Sequence, residues 1–106
     1  MRVTKHFLRP VTASLQQLAD LYTLDLHVYE RSGEGNLPRF YASFENVETK
    51  APGVLVSTYG NGDTPEQAVA DYAHQLSGKV LVIRSHQPGR REIGPFSAIT
   101  FDGKIE

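Results

Sequence analysis

The stretch that decides the fold is Gly60-Asn61-Gly62-Asp63-Thr64-Pro65-Glu66-Gln67-Ala68-Val69-Ala70-Asp71-Tyr72-Ala73-His74-Gln75-Leu76-Ser77-Gly78. It reads as the end of a strand followed by a helix over 64–77. Thr64 supplies an N-cap oxygen, Pro65 suits the first helical position, and Glu66 suits the positive helix end. Gln67, three residues after Thr64, completes a capping box. Ala68, Val69, Tyr72, Ala73 and Leu76 recur at helical spacing and form an apolar face. Gly78 is a left-handed stop. The pair Gly60 and Gly62 is read as the turn that ends the preceding strand.

Downstream, Val80-Leu81-Val82-Ile83 is short, branched and continuously apolar, which favours a strand buried on both faces. Ser85 to Pro95 holds two prolines, two glycines and two adjacent arginines and reads as a loop. Phe96 to Phe101 is an edge strand or a loosely packed segment. Upstream, Val54 to Tyr59 is β-branched and aromatic, a strand, preceded by a turn at Lys50-Ala51-Pro52-Gly53. Residues 39–47 alternate, with Phe40, Ala42 and Phe44 opposite Tyr41, Ser43 and Glu45. Residues 24–31 alternate likewise, with Leu24, Leu26 and Val28 opposite Asp25, His27 and Tyr29. The turn between these two strands spans Ser32 to Pro38. Leu15, Leu18, Leu21 and Tyr22 mark one face of a helix over 13–22, capped by Thr12 or Ser14. Residues 3–8 carry a weak strand pattern.

The expected fold class is therefore α+β, in the order α-β-β-β-α-β. Three antiparallel strands carry two helices on one face, and one strand is added. The core is expected from Leu15, Leu18, Leu26, Val28, Phe40, Phe44, Val69, Tyr72, Leu76, Leu81 and Ile83. The 106 residues suit one domain, with its core over about 13–84, a basic arm over 1–10 and an extension over 85–106.

Composition narrows the function classes. There is no cysteine, so disulfides, thiolate chemistry and cysteine zinc sites are excluded. Met1 to Pro10 is basic like a signal n-region, but no apolar h-region follows. No stretch approaches the ~20 apolar residues of a membrane span, so the cytoplasm and no membrane partner are expected. The net charge of −1 is unevenly spread. Residues 1–10 carry +3, residues 11–78 carry −6 and residues 79–106 carry +2. A polyanion is repelled by the middle and attracted to the ends.

The order over residues 13–77 resembles the double-stranded RNA-binding domain. Gly60, Gly62, Thr64 and Ala68 stand where that family has its two glycines, its serine cap and its alanine. The three family lysines that clasp phosphates are replaced by Pro65, Glu66 and Val69, and the Ser32–Pro38 loop lacks the family's histidine. The resemblance implies the fold, and duplex RNA binding through the second helix is not expected. Residues 24–84 also resemble the β-β-β-α-β domain of HicB-type antitoxins, whose strand-to-helix junction is similar to Gly62-Asp63-Thr64-Pro65-Glu66-Gln67-Ala68. Such antitoxins commonly carry a DNA-binding domain after the last strand, and the 22 residues beyond Arg84 are too few for one. The same junction is similar to that of small phage and prophage proteins.

Catalytic patterns are missing. His6, His27, His74 and His86 form no metal-ligating pair, and read as surface or boundary residues. Glu45, Glu48, Asp63 and Asp71 read as solvated or capping acids. Neither Gly-x-Ser-x-Gly nor a phosphate loop is present. The chain is expected to be no enzyme and to need no cofactor or metal. The candidate contact residues are Arg84, His86, Arg90 and Arg91, with Lys5 and Arg9. Arginine offers planar forks to carboxylates and phosphates. Arg84 leaves a buried strand, so its position is fixed while its head reaches solvent. The expected function is a small non-catalytic regulator or inhibitor that binds a protein. The alternatives are a nucleic-acid-binding module using the basic ends and a HicB-like antitoxin domain. A sheet edge offers a route to homo-oligomers.

Overall fold

A computed structural model describes residues 12–32, 35 and 37–103. The chain runs β1 (Thr12–Ser14), α1 (Leu15–Tyr22), β2 (Leu26–Glu30), β3 (Phe40–Phe44), β4 (Val47–Ala51), β5 (Val54–Val56), β6 (Gly60–Gly62), α2 (Pro65–Leu76), β7 (Leu81–Ile83), β8 (Arg91–Ile93) and β9 (Ala98–Thr100). The fold is α+β. The weak strand over 3–8, the basic arm over 1–10, and Gly33 of the first turn lie outside the described residues.

The helices form where capping chemistry and periodicity agree. Ser14 caps α1 with a full box: its hydroxyl accepts the Gln17 N–H, and the Gln17 side chain accepts the Ser14 N–H. Thr64 caps α2, accepting the Gln67 N–H at 3.1 Å. The box expected there is only half made, because the Gln67 carbonyl accepts from Asp63 N–H at 3.0 Å instead of from Thr64. Gly78 follows α2 at φ 78°, the left-handed conformation that suits glycine. Leu21, placed by spacing on the apolar face of α1, is 72% exposed, whereas Leu15 and Leu18 are buried. The helix ends at Thr23 in a left-handed conformation, and the buried residue that follows is Leu24.

Neither of the strands expected over 39–47 and 54–59 runs its full length, which is the largest departure from the sequence reading. Residues 39–47 break at Glu45-Asn46, where Asn46 takes φ 61°. Asparagine tolerates the left-handed region, and the bend sends β3 and β4 into different sheets. Of residues 54–59 only Val54–Val56 form a strand, β5, and the next strand is Gly60–Gly62 itself. The expected single three-stranded sheet is therefore replaced by a sheet of order β2-β3-β6 and one of order β5-β4-β7-β8, both antiparallel, with a parallel pair β1-β9. The Val80–Ile83 strand does not extend the first sheet. It is an inner strand of the second, and Leu81, Val82 and Ile83 are fully buried, as a strand covered on both faces requires. Lys50 and Ala51 belong to β4, so the turn is Pro52-Gly53 alone. The expected loop over 85–95 contains β8 and closes a hairpin with β7. The alternatives for 96–101 resolve to a strand, β9, which pairs with β1.

Gly60 and Gly62 are strand residues pressed against α2. A Cβ on Gly60 would lie 2.2 Å from both the Ala68 carbonyl oxygen and the Tyr72 nitrogen, and one on Gly62 would lie 2.5 Å from Ala68 nitrogen. Real Cβ atoms do not approach backbone so closely, so only glycine lets the helix sit there. The β6 edge is closed by the same helix: the Asp71 carboxylate, expected in water, accepts the Asn61 N–H at 2.8 Å.

One contiguous core results. Leu15, Leu18, Phe44, Val69, Tyr72, Leu76, Leu81 and Ile83 are buried in it, while Leu26, Val28 and Phe40 are half-buried against it. Val47 and Ile93 from the second sheet and Ile99 from β9 join the same cluster. Tyr72 sits fully buried, its ring edge-on to Phe44 with centroids 5.7 Å apart, and its hydroxyl oxygen accepts the Phe44 N–H at 3.0 Å.

Burial pushes the Tyr72 phenol up to about 12 from its ordinary value of 10.0. The neutral form is favoured in the folded state, so this contribution to stability is whole below pH 10. It is lost as the pH climbs through the folded value. Folding stability should fall by roughly 2–3 kcal/mol across that window. Absorbance at 295 nm should show a phenolate step delayed toward pH 12 that disappears in Tyr72→Phe. No delayed step in the folded protein would place this ring in water.

Candidate functional site

Strand alternation on β2 and β3 separates two kinds of face. The register pairs Leu26 with Phe44 and Val28 with Ala42 on the side that meets the core. It pairs His27 with Ser43 and Tyr29 with Tyr41 on the opposite side. Successive side chains of a strand point to opposite faces, so the outer face collects rings. His27 stacks on Tyr29 with centroids 5.9 Å apart, and Tyr29 stacks on Tyr41 at 4.9 Å. Tyr41 meets Tyr59 edge-on at 5.8 Å. Four rings thus run in a row across the sheet. Tyr29 is 44% and Tyr59 47% exposed.

The row is held in place by Arg31. Its guanidinium lies 4.6 Å from the Tyr41 ring centroid, and it donates to the Pro38 carbonyl at 2.6 Å and to Asn61 Oδ1 at 2.7 Å. Such an arginine stiffens the platform, since its planar head is fixed by both hydrogen bonds and a ring. Around the row the charges are matched. Arg39 Nε donates to Glu30 Oε1 at 2.8 Å, and His27 Nε2 lies 3.3 Å from Glu45 Oε2. Exposed pairs of this kind add little stability, but the formal charges of Arg31 and Arg39 are balanced by those of Glu30 and Glu45.

Below Tyr59 the bent strands part and open a cleft of about 360 Å³, lined by Ser43, Asn46, Glu48, Ser57, Tyr59 and His86 among others. Glu48 accepts a short hydrogen bond from Ser85 Oγ, and His86 Nε2 approaches the same carboxylate at 3.9 Å. Serine and histidine thus both address the acid, an arrangement that ties the hairpin to β4. Among the described residues no three His, Asp or Glu side chains cluster closely enough to hold a metal ion.

The contact residues expected from sequence are scattered over the β7–β8 hairpin. Lys5 and Arg9 lie outside the described residues. Arg84, expected to put its head in solvent, adopts φ 53° and donates to the Tyr22 and Thr23 carbonyls at 3.2 and 3.4 Å. It thereby satisfies acceptors that the end of α1 leaves open. Arg91 lies 5.4 Å from the Tyr22 ring centroid. Arg90 pairs with Glu92 at 3.5 Å, and Lys50 holds the same carboxylate at 2.9 Å. The Lys50 hydrogen bond and charge keep the Glu92 carboxyl below its ordinary range. His86 is exposed beside Glu48. The hairpin's basic heads are thus largely engaged within the chain.

The aromatic row is the feature that the sequence reading missed. Its signal was present, because the alternation already assigned His27, Tyr29 and Tyr41 to the outward side. Three rings at outward positions of two neighbouring strands are more than a solvated face needs. Comparison with protein-family models, with curated proteins and with solved structures found no match to this chain.

Proposed function

We propose that this chain is a non-catalytic binding module that regulates or inhibits a protein partner, and that the partner docks on the aromatic face of the β2-β3-β6 sheet. The observation that carries the proposal is the ring row His27–Tyr29–Tyr41–Tyr59, half exposed and braced by Arg31. Tyrosine is enriched at the centres of protein interfaces because a rigid ring buries much area at little entropic cost. Charge balance around the row favours a protein over a nucleic acid. Single strands are held by stacking rings together with a positive groove, and here Glu30 and Glu45 offset Arg31 and Arg39. No described helix is long and apolar enough to cross a membrane.

A photo-crosslinking residue placed at Tyr29 tests the proposal, with the same residue at the exposed Ala70 of α2 as the reference. The expected result is a protease-sensitive adduct from position 29 and none from 70. Tyr41→Ala should weaken that capture at least tenfold, on the scale of about 2 kcal/mol for a truncated interface anchor. A nuclease-sensitive adduct would replace the protein partner with a nucleic acid. No adduct at position 29, or equal adducts at both, would remove the face from consideration.

A further inference from the structure

Among the described residues the second sheet ends on an open edge of unusual composition. From Ala51 to Gly62 twelve consecutive residues carry no charge, and β5 lies within them. Val54 and Val56 are 59% and 42% exposed. Natural sheets blunt their edges with charged residues, prolines, bulges or a covering element. The other edges of the two larger sheets follow that rule. β2 carries Glu30, β8 carries Arg91 and Glu92, and the β6 amide of Asn61 is taken by Asp71. Between Ala51 and Gly62 the one proline is Pro52, in the turn.

The orientation of the β5 backbone follows from the strand beside it. The Lys50 N–H donates to the Val80 carbonyl at 2.9 Å, so Lys50 directs its main-chain groups to β7. In an antiparallel ladder bonding alternates along each strand. Thr49 and Ala51 therefore face β5 and bond Val56 and Val54, their register partners. Leu55, opposite Lys50, must turn both its N–H and its C=O to the open edge. A residue that presents both groups outward is the centre of a self-complementary site. A second, antiparallel β5 related by a two-fold axis at Leu55 exchanges both bonds with it.

We infer that two copies of this chain pair through β5, Leu55 against Leu55, to form one continuous eight-stranded sheet. The same register sets Val54 of each copy opposite Val56 of the other, in the closer, non-hydrogen-bonded type of pair. Four exposed valines are thereby covered on one face. No charge is brought against another, because the segment contains none. The inference goes beyond the docking face and stands independently of it.

Sedimentation across the micromolar range, combined with hydrogen exchange, tests the pairing. The expected result is a dimer whose Leu55 amide becomes protected as the concentration rises. Leu55→Pro removes the outward N–H without touching a bond to β4, and edge strands admit proline at such positions. It should give a folded monomer. A second variant, Val54→Lys with Val56→Lys, keeps the backbone intact and sets lysines directly opposite one another. It should also be monomeric, with an unchanged circular dichroism spectrum. A wild-type monomer throughout the range would overturn the inference. So would a dimer that survives the double lysine variant, or one in which Leu55 exchanges freely.

Discussion

Gly60→Ala should destabilise the protein more than any other single methyl group added to it, by upwards of about 4 kcal/mol, the range in which a marginally stable domain unfolds. The added Cβ would sit 2.2 Å from the Ala68 oxygen and the Tyr72 nitrogen and 2.5 Å from the Tyr72 Cα. All three atoms are helix backbone, so no side-chain rotation can relieve the overlap. The helix would have to move as a body, and it carries Val69, Tyr72, Ala73 and Leu76 into the core. The close-packed interior resists such a shift. Gly78→Ala is the matched reference: nothing lies within 4 Å of its Cβ position, and its φ of 78° costs an alanine only about 1–2 kcal/mol. Urea denaturation of both variants measures the difference. Near-equal losses would mean that α2 does not lie against β6 at this distance.

Leu76→Ala should cost about 2–5 kcal/mol, the transfer of a buried side chain plus the cavity it leaves. Leu76 is fully buried on α2, and the cluster around it draws residues from both larger sheets. Leu21→Ala, at a residue of the same chemistry on the other helix, should change stability by no more than about 0.5 kcal/mol, since Leu21 is 72% exposed. Chemical denaturation of the two variants thus reads out which leucines the tertiary fold selected. A small loss at Leu76, or a large one at Leu21, would contradict the packing described.

The regulatory reading and the β5 pairing place two surfaces on different parts of the chain. The ring row lies on the β2-β3-β6 sheet and the open edge on β5 of the other. Tyr59 stands between them in sequence, in the segment that joins β5 to β6. Dimerisation through β5 would present two ring rows on one assembly, so a partner with two sites would bind with higher avidity. The basic hairpin contributes differently from what its composition suggests. Arg84 and Arg91 hold it to the end of α1, and Arg90 and Lys50 share Glu92.

Much of this fold was legible residue by residue. Where local chemistry decides, it did so on its own terms: the Thr64 cap with Pro65 behind it placed the start of α2, and Gly78 its end. Alternation of apolar and polar residues placed β2 and β3, and the unbroken run Leu81–Ile83 announced a strand covered on both sides. These signals are short-range, because a cap, a turn and a periodicity each act within one element. What they cannot carry is the relation between elements. The bend at Asn46 depends on the partners that await on either side of it, since β3 finds β2 and β6 while β4 finds β5 and β7. Gly60 and Gly62 look like a turn in one dimension, and only the helix lying against them shows a strand that had to lose its side chains. Leu21 and Leu18 share one helical face by spacing, yet the core covers one and not the other. The ring row is of the same kind. Tyr29 and Tyr41 were visible as outward residues of their own strands, but a row exists only because antiparallel pairing sets Tyr29 beside Tyr41 and the fold brings Tyr59 to its end.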